Sequence, residues 1–197
     1  MNYASIRTCD IANGDGVRVS LFVSGCTHRC RGCFNEEAQN FAYGRPFTRE
    51  VEDGILAALE PDYISGLTLL GGEPMEPPNQ RGLIGFLRRF REKFGAAKTL
   101  WIYTGCVYDL DLMPTAGDAL GVEVNSPHKR WRTEVTDEML MMTDILVDGP
   151  FIESLKDISL KFRGSSNQRI IDLRAGKVLF GPGEGGHPRT ASMAKAG

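Results

Sequence analysis

Alternating side chains mark the first clear element of the chain. Val17, Val19, Leu21 and Val23 occupy every second position, and this period of two is typical of a β-strand. Short apolar runs predict further strands at 67–70, 99–103, 121–124, 144–147 and 170–173. Glycine follows four of the strands within two residues, as Gly25, Gly71, Gly105 and Gly149.

Apolar positions three and four residues apart predict the helices. A helix is expected after Thr48, a good N-cap residue, because Val51, Ile55, Leu56 and Leu59 would then lie on one face. Similar spacing predicts further helices over 80–94, 136–142 and 152–160. Helices therefore alternate with most of the strands.

Strand–loop–helix units in series predict parallel strands joined by crossover connections. A closed barrel of eight such units needs about 250 residues, so we expect an α/β fold with an incomplete, open βα barrel of mostly parallel strands. In such folds the active site lies at the carboxyl ends of the strands. The loops that carry the four glycines are therefore predicted to meet at one edge.

Composition limits the class of protein. The 197 residues include 42% apolar side chains, with 23 basic and 25 acidic residues and a net charge of −2. This predicts a single domain at 1–180, without a nucleic-acid or membrane partner. No secretory signal is readable and the cysteines suit a reducing compartment, so we expect a cytoplasmic protein. Segment 109–132 is predicted to be an irregular excursion and 181–197 a disordered tail.

Three cysteines, Cys26, Cys30 and Cys33, form a C-x3-C-x2-C run directly after the first predicted strand. Iron–sulfur clusters normally take four cysteines, and structural zinc sites are closed by four ligands, whereas catalytic metal sites keep one position open. A four-iron cluster on three thiolates would leave one iron for a ligand that is not protein. The run therefore favours chemistry over a structural role.

The Gly71-Gly72-Glu73-Pro74 loop follows the next strand and suits the amino group of such a ligand. Glycines permit positive φ and close backbone approach, carbonyls accept from an ammonium group, and Glu73 adds charge or fixes the loop. A tight turn between a strand and a helix is an equally good interpretation of this loop by itself. In combination with the cysteines, it points to S-adenosylmethionine.

Other reactive side chains favour structural interpretations. His28 lies between cysteines, but three thiolates already satisfy the site, so we expect a loop residue without coordination. Cys106 and Cys9 are expected to be small packed or edge thiols. The basic and aromatic run at 128–132 favours a solvated loop or a partner-docking surface over nucleic-acid binding, because the chain has no second such cluster.

The cysteine run and the Gly-Gly-Glu-Pro loop together resemble the radical S-adenosylmethionine superfamily. Within it, the chain is similar to the activating proteins of anaerobic (class III) ribonucleoside-triphosphate reductases. The resemblance spans residues 1–175 and includes stretches at 13–16, 21–26, 32–35, 46–48, 103–105, 146–149 and 163–168. Many superfamily members have an aromatic residue directly before the third cysteine, where this chain has Gly32, with Phe34 following instead.

This resemblance implies a radical mechanism. A reduced [4Fe–4S] cluster on Cys26, Cys30 and Cys33 would pass one electron to the sulfonium of bound S-adenosylmethionine. The resulting 5′-deoxyadenosyl radical would remove a hydrogen atom from a glycine of the reductase large subunit and leave a glycyl radical there. The implied partners are that subunit and a flavodoxin-type electron donor.

The remaining site residues are assigned by position. Gly71, Gly72 and Glu73 would hold the methionyl amino group, and the backbone of Gly32, Cys33 and Phe34 would lie along the adenine. The other candidates for contacts with the cofactor or the partner are Thr104, Asp148 and the stretch 163–168.

Two other functions stay open. The first is activation of a different glycyl-radical enzyme such as pyruvate formate-lyase, although those activases tend to be longer and richer in cysteine. The second is a non-catalytic iron–sulfur or zinc module, which would need a fourth cysteine or histidine at ligand spacing and no Gly-Gly-Glu loop.

Overall fold

A computed structural model describes residues 1–114 and 130–182. Within these ranges the strands are β1 (Asn2–Asp10), β2 (Val17–Val23), β3 (Arg45–Pro46), β4 (Ile64–Gly71), β5 (Thr99–Tyr103), β6 (Ile145–Asp148), β7 (Arg169–Asp172) and β8 (Lys177–Phe180). The α-helices are α1 (Arg49–Ala58), α2 (Pro77–Phe94) and α3 (Thr136–Met141). The predicted strand at 121–124, most of the predicted excursion 109–132 and residues 183–197 of the predicted tail lie outside the described residues.

The described strands form one mixed sheet in the order β3-β1-β2-β4-β5-β6-β7-β8. Its centre, β2-β4-β5-β6, is parallel throughout, as predicted for the four strands that glycine follows. Val23 lies opposite Gly71, and Tyr103 lies opposite Val147. The loops that follow these strands therefore share one edge of the sheet.

The prediction of mostly parallel strands is wrong for the outer sheet. β1 pairs antiparallel with β2 and β3, while β7 pairs antiparallel with β6 and β8. These strands are antiparallel because their connections contain no crossover helix. Short turns join β1 to β2 and β7 to β8, and no α-helix lies between β6 and β7. Parallel strands need a long crossover, usually a helix, whereas antiparallel strands can be joined by a tight turn.

The predicted helix at 152–160 is also wrong. The segment contains a 3₁₀ turn at Glu153–Leu155, followed by irregular backbone. Asp157 Oδ1 accepts the backbone N–H of Ser159 at 2.8 Å, a local bond that competes with helix formation. Ile158 is 93% exposed, so a helix here would gain little from burying an apolar face.

The two faces of the central sheet have separate apolar cores. Side chains such as Leu100 and Ile102 pack with the helices, whereas Trp101, between them on β5, packs with Val147 and Ile170 on the other face. That second face also holds the fully buried Arg18, whose guanidinium lies over the Trp101 ring. Burial lowers the Arg18 pKa to about 10.

Candidate functional site

A cavity of about 500 Å³ lies at the carboxyl edge of the parallel strands. Its walls come from the loops after β2, β4, β5 and β6, which is where the strand pattern placed the site. The sequence-predicted residues that line it are Cys26, Cys30, Cys33, Phe34, Gly71, Gly72, Glu73, Thr104, Arg163, Gly164 and Gln168. Sites for small molecules typically have volumes of about 300–1,000 Å³.

The three clustered cysteines are free, partly buried thiols on this cavity. Burial raises the pKa of Cys26 to about 12, and the nearby Glu73 charge adds to this rise. Burial also raises the pKa of Cys30. Because the metal ligand is the thiolate, metal binding here must release protons.

The Gly71-Gly72 segment brings two loops into backbone contact. Gly71 has a φ of +103°, and a Cβ built on Gly72 would lie 2.6 Å from the carbonyl oxygen of Gly25. The backbone N–H of Gly72 donates to Val23 at 2.8 Å, and that of Glu73 donates to Gly25 at 2.8 Å. Glycine at these two positions therefore lets the loop after β4 lie directly against the start of the cysteine loop.

Glu73 is almost completely buried and holds loops together. Its Oε1 accepts the backbone N–H of Met75 at 2.8 Å, and its Oε2 accepts that of Gly105 at 2.7 Å. His28 Nε2 lies 3.0 Å from the same Oε2. Glu73 thus connects the loops after β2, β4 and β5, in agreement with a loop-fixing role.

Thr104 and Asp148 differ in their access to the cavity. Thr104 lines it, and its Oγ1 accepts the backbone N–H of Cys106 at 3.0 Å. Asp148 is not among the described residues that line the cavity. Its carboxylate accepts hydrogen bonds from Arg169 Nε at 2.9 Å and from the backbone N–H of Tyr108 at 2.8 Å. A cofactor contact by Asp148 stays a prediction and would require these bonds to rearrange.

Gly32 and Phe34 flank the third cysteine with different surroundings. Gly32 has a φ of +68°, and a Cβ there would lie 2.8 Å from Glu153 Oε1; it is not among the described lining residues. Phe34 lines the cavity but is 64% exposed, with Lys156 Nζ 4.8 Å from its ring centroid. Phe34 is thus placed at the cavity mouth.

The 163–168 stretch fastens one wall of the cavity. Gln168 Oε1 accepts the N–H of Gly164 at 2.8 Å, while Gln168 Nε2 donates to the Gly149 carbonyl at 3.0 Å. Asn167 Nδ2 donates to the Pro150 carbonyl at 2.8 Å. This stretch therefore holds the loop after β6 in place, a supporting role that the sequence pattern did not indicate.

Sequence reasoning missed a buried layer of polar residues beneath the cysteine loop. Glu76 Oε1 accepts the Thr27 N–H at 2.6 Å. Asn79 Nδ2 donates to the carbonyls of Ser24 at 3.0 Å and Glu73 at 2.9 Å. The available signal was the proline pair after Glu76, since proline suits the first helical positions and places these residues in the first turn of α2.

These residues fit an iron–sulfur cluster with a small chelating ligand. The cavity presents three free thiols, the side chains that iron–sulfur clusters use as ligands. Beside them, Gly71 and Gly72 line the same cavity. Thiolate ligands and accessible backbone are thus combined in one cavity of suitable volume.

The fold and the site are those of a domain that carries one iron–sulfur cluster. The family described as "4Fe-4S single cluster domain" matches residues 12–171. Relatives from Salmonella typhimurium and Escherichia coli are each 38% identical, over 88% of this chain and 100% of their own length. A relative from Enterobacteria phage T4 is 34% identical over 86% of this chain and 93% of its own length. All three are named anaerobic ribonucleoside-triphosphate reductase-activating protein. The chain belongs to this family of reductase-activating proteins.

None of the helices in the described residues combines the length and the apolar character that crossing a membrane requires.

Proposed function

We propose that this chain is an enzyme, a radical S-adenosylmethionine activase that generates a glycyl radical on an anaerobic ribonucleoside-triphosphate reductase. The observation that carries the proposal is one cavity lined by all three clustered cysteines and by the Gly-Gly-Glu loop. The names of the relatives support the choice of reductase as the target.

Each part of the cavity has a proposed role. Cys26, Cys30 and Cys33 hold a [4Fe–4S] cluster, and the loop of Gly71, Gly72 and Glu73 holds the methionyl amino group. When bound, cluster and cofactor supply a one-electron cleavage of the sulfonium that ends in removal of a hydrogen atom from a glycine of the reductase. The protein binds and orients both groups and excludes water from them.

Other contacts and partners belong to the same proposal. The backbone of Gly32, Cys33 and Phe34 lies along the adenine, while Thr104 and Asp148 at neighbouring strand ends contact the ribose or the carboxylate. A flavodoxin-type protein in the cytoplasm supplies the electron. We further infer that the described sheet is an open βα barrel of the radical S-adenosylmethionine type, because its parallel centre carries the cavity at its carboxyl edge.

The test is anaerobic reconstitution with iron and sulfide, followed by dithionite and S-adenosylmethionine. We expect 5′-deoxyadenosine to form and, with the reductase from the same source, a carbon-centred doublet in electron paramagnetic resonance. Cys26→Ser, Cys30→Ser or Cys33→Ser should abolish both. Cys9→Ser is the matched control, because Cys9 is an exposed thiol on β1.

Full cofactor cleavage by any one of the three variants would refute the cysteine assignment. Cleavage without a doublet on the reductase, but with a doublet on pyruvate formate-lyase, would favour the alternative activase. A colourless protein that retains zinc would favour the non-catalytic module.

A further inference from the structure

His28, between the first and second clustered cysteines, occupies a slot shaped for a flat ring. Its side chain is 13% exposed. The imidazole stacks on Trp131 with ring centroids 4.3 Å apart and an interplanar angle of 17°. A Cβ built on Gly105 would lie 2.7 Å from the imidazole Cδ2, so a side chain at residue 105 would displace the ring from its present position. His28 is thus a loop residue, as expected, but its side chain is packed between neighbouring residues.

The polar edge of the ring meets a buried carboxylate. His28 Nε2 lies 3.0 Å from Glu73 Oε2. The same Oε2 accepts the backbone N–H of Gly105, so we assign His28 Nε2 as the donor in this contact. Cys106 Sγ lies farther from this nitrogen, at 3.8 Å. Glu73 is therefore the main polar partner of His28, and Cys106 fills space beside it.

This contact joins the two halves of the proposed site. His28 belongs to the loop of the clustered cysteines, whereas Glu73 belongs to the Gly-Gly-Glu loop. The slot needs a small planar ring, and the carboxylate needs an N–H at the edge of that ring. Histidine meets both needs, whereas phenylalanine lacks the donor and glutamine lacks the ring.

We propose that His28 is a positioning residue that fixes the cysteine loop relative to the Gly-Gly-Glu loop, and thereby sets where S-adenosylmethionine lies relative to the cluster. The inference rests on the proposed function and adds a residue to it. Its physical basis is the combination of ring stacking, the glycine-dependent slot and one buried hydrogen bond to a charged group, a strong class of hydrogen bond.

Two variants separate the two interactions. His28→Phe keeps a flat ring against Trp131 but removes the donor to Glu73, and His28→Gln keeps an N–H donor but removes the ring. Arg31→Gln is the control in the same loop, because the Arg31 side chain is 93% exposed and pairs only with the half-exposed Glu153 among the described residues. All three leave Cys26, Cys30 and Cys33 unchanged.

Three quantities are measured on each reconstituted protein under anaerobic conditions. They are iron and sulfide per chain, the dissociation constant of S-adenosylmethionine by equilibrium dialysis, and the paramagnetic resonance spectrum of the reduced cluster with and without the cofactor. We expect wild-type iron content in all variants and a dissociation constant raised about tenfold in His28→Phe, the size expected for a lost hydrogen bond to a charged group. His28→Gln should lie between His28→Phe and wild type, and Arg31→Gln should match wild type. The spectral change on cofactor addition should follow the same order.

The inference is overturned if His28→Phe binds the cofactor as tightly as wild type with an unaltered spectral response. It is also overturned if both His28 variants lose iron in equal measure, since His28 would then serve cluster retention alone. Failure of the proposed function is distinguishable, because in that case wild type itself would neither assemble the cluster nor cleave the cofactor. If His28→Phe does not fold, His28→Gln is compared with Arg31→Gln instead. Equal cofactor dissociation constants and equal spectral responses in these two variants would then overturn the inference.

Discussion

Replacing Gly72 with alanine tests the close approach of the Gly-Gly-Glu loop to the cysteine loop. The new Cβ would lie 2.6 Å from the Gly25 carbonyl oxygen and 2.9 Å from that of Ala38. Both neighbours are backbone atoms, so no flexible side chain can move aside. The contact between the loops must therefore open.

The cost of this change can be estimated from its two parts. Overpacking of a tight site costs about 1–3 kcal/mol. Opening the contact also weakens the bond from the Glu73 N–H to the Gly25 carbonyl, now 2.8 Å long, which contributes about 1 kcal/mol. We expect Gly72→Ala to lower the free energy of unfolding by about 2–4 kcal/mol.

The assay is urea unfolding of the metal-free protein, followed by circular dichroism without oxygen, together with iron content after reconstitution. Gly85→Ala is the matched control, because Gly85 is exposed on α2 and a Cβ there meets nothing within 4 Å. It should stabilise the protein by about 1 kcal/mol through helix propensity. An unfolding midpoint of Gly72→Ala at or above that of wild type, with normal iron content, would refute the argument from close approach.

Three further predictions concern the scaffold of the site. Arg18→Leu should lower the free energy of unfolding by about 3–5 kcal/mol, because two buried acceptors, Thr68 Oγ1 and the Leu67 carbonyl oxygen, each lose an Arg18 donor that now lies 2.7 Å away. A loss below about 1 kcal/mol in urea titration would contradict this. Asn79→Ala should lower the free energy of unfolding by about 2–3 kcal/mol and should also lower iron retention during gel filtration, because Asn79 Nδ2 donates to the Glu73 carbonyl at 2.9 Å. Unchanged iron retention would show that Asn79 does not support the cysteine loop. Chelation of the iron should leave the far-UV spectrum unchanged, since the apolar cores do not include the three clustered cysteines, and a large loss of helix signal would show that the fold depends on the metal.

Local sequence patterns predicted the parallel centre of the sheet. The β2 alternation and the glycines after β2, β4, β5 and β6 depend on side-chain period and backbone freedom, which are properties of short segments. Helix α2 was predicted for the same reason, although its start at Pro77 was placed three residues late. The three cysteines, the Gly71-Gly72-Glu73 loop and the further stretches up to residue 168 together indicated the family of reductase-activating proteins, and the matches to relatives confirm it.

Tertiary structure decided the features that join distant segments. The antiparallel edges depend on strand partners rather than on strand propensity, and the exposed Ile158 region lacked a packing surface that could stabilise a helix. The pairs His28–Glu73 and Thr27–Glu76 lie more than 40 residues apart in sequence, and neither carries a local period. Sequence alone thus determined the cysteine motif and the central strands beside it. The fold determined which buried side chains hold the two loops together, because hydrogen bonds and ring contacts between remote segments exist only once the sheet has aligned them.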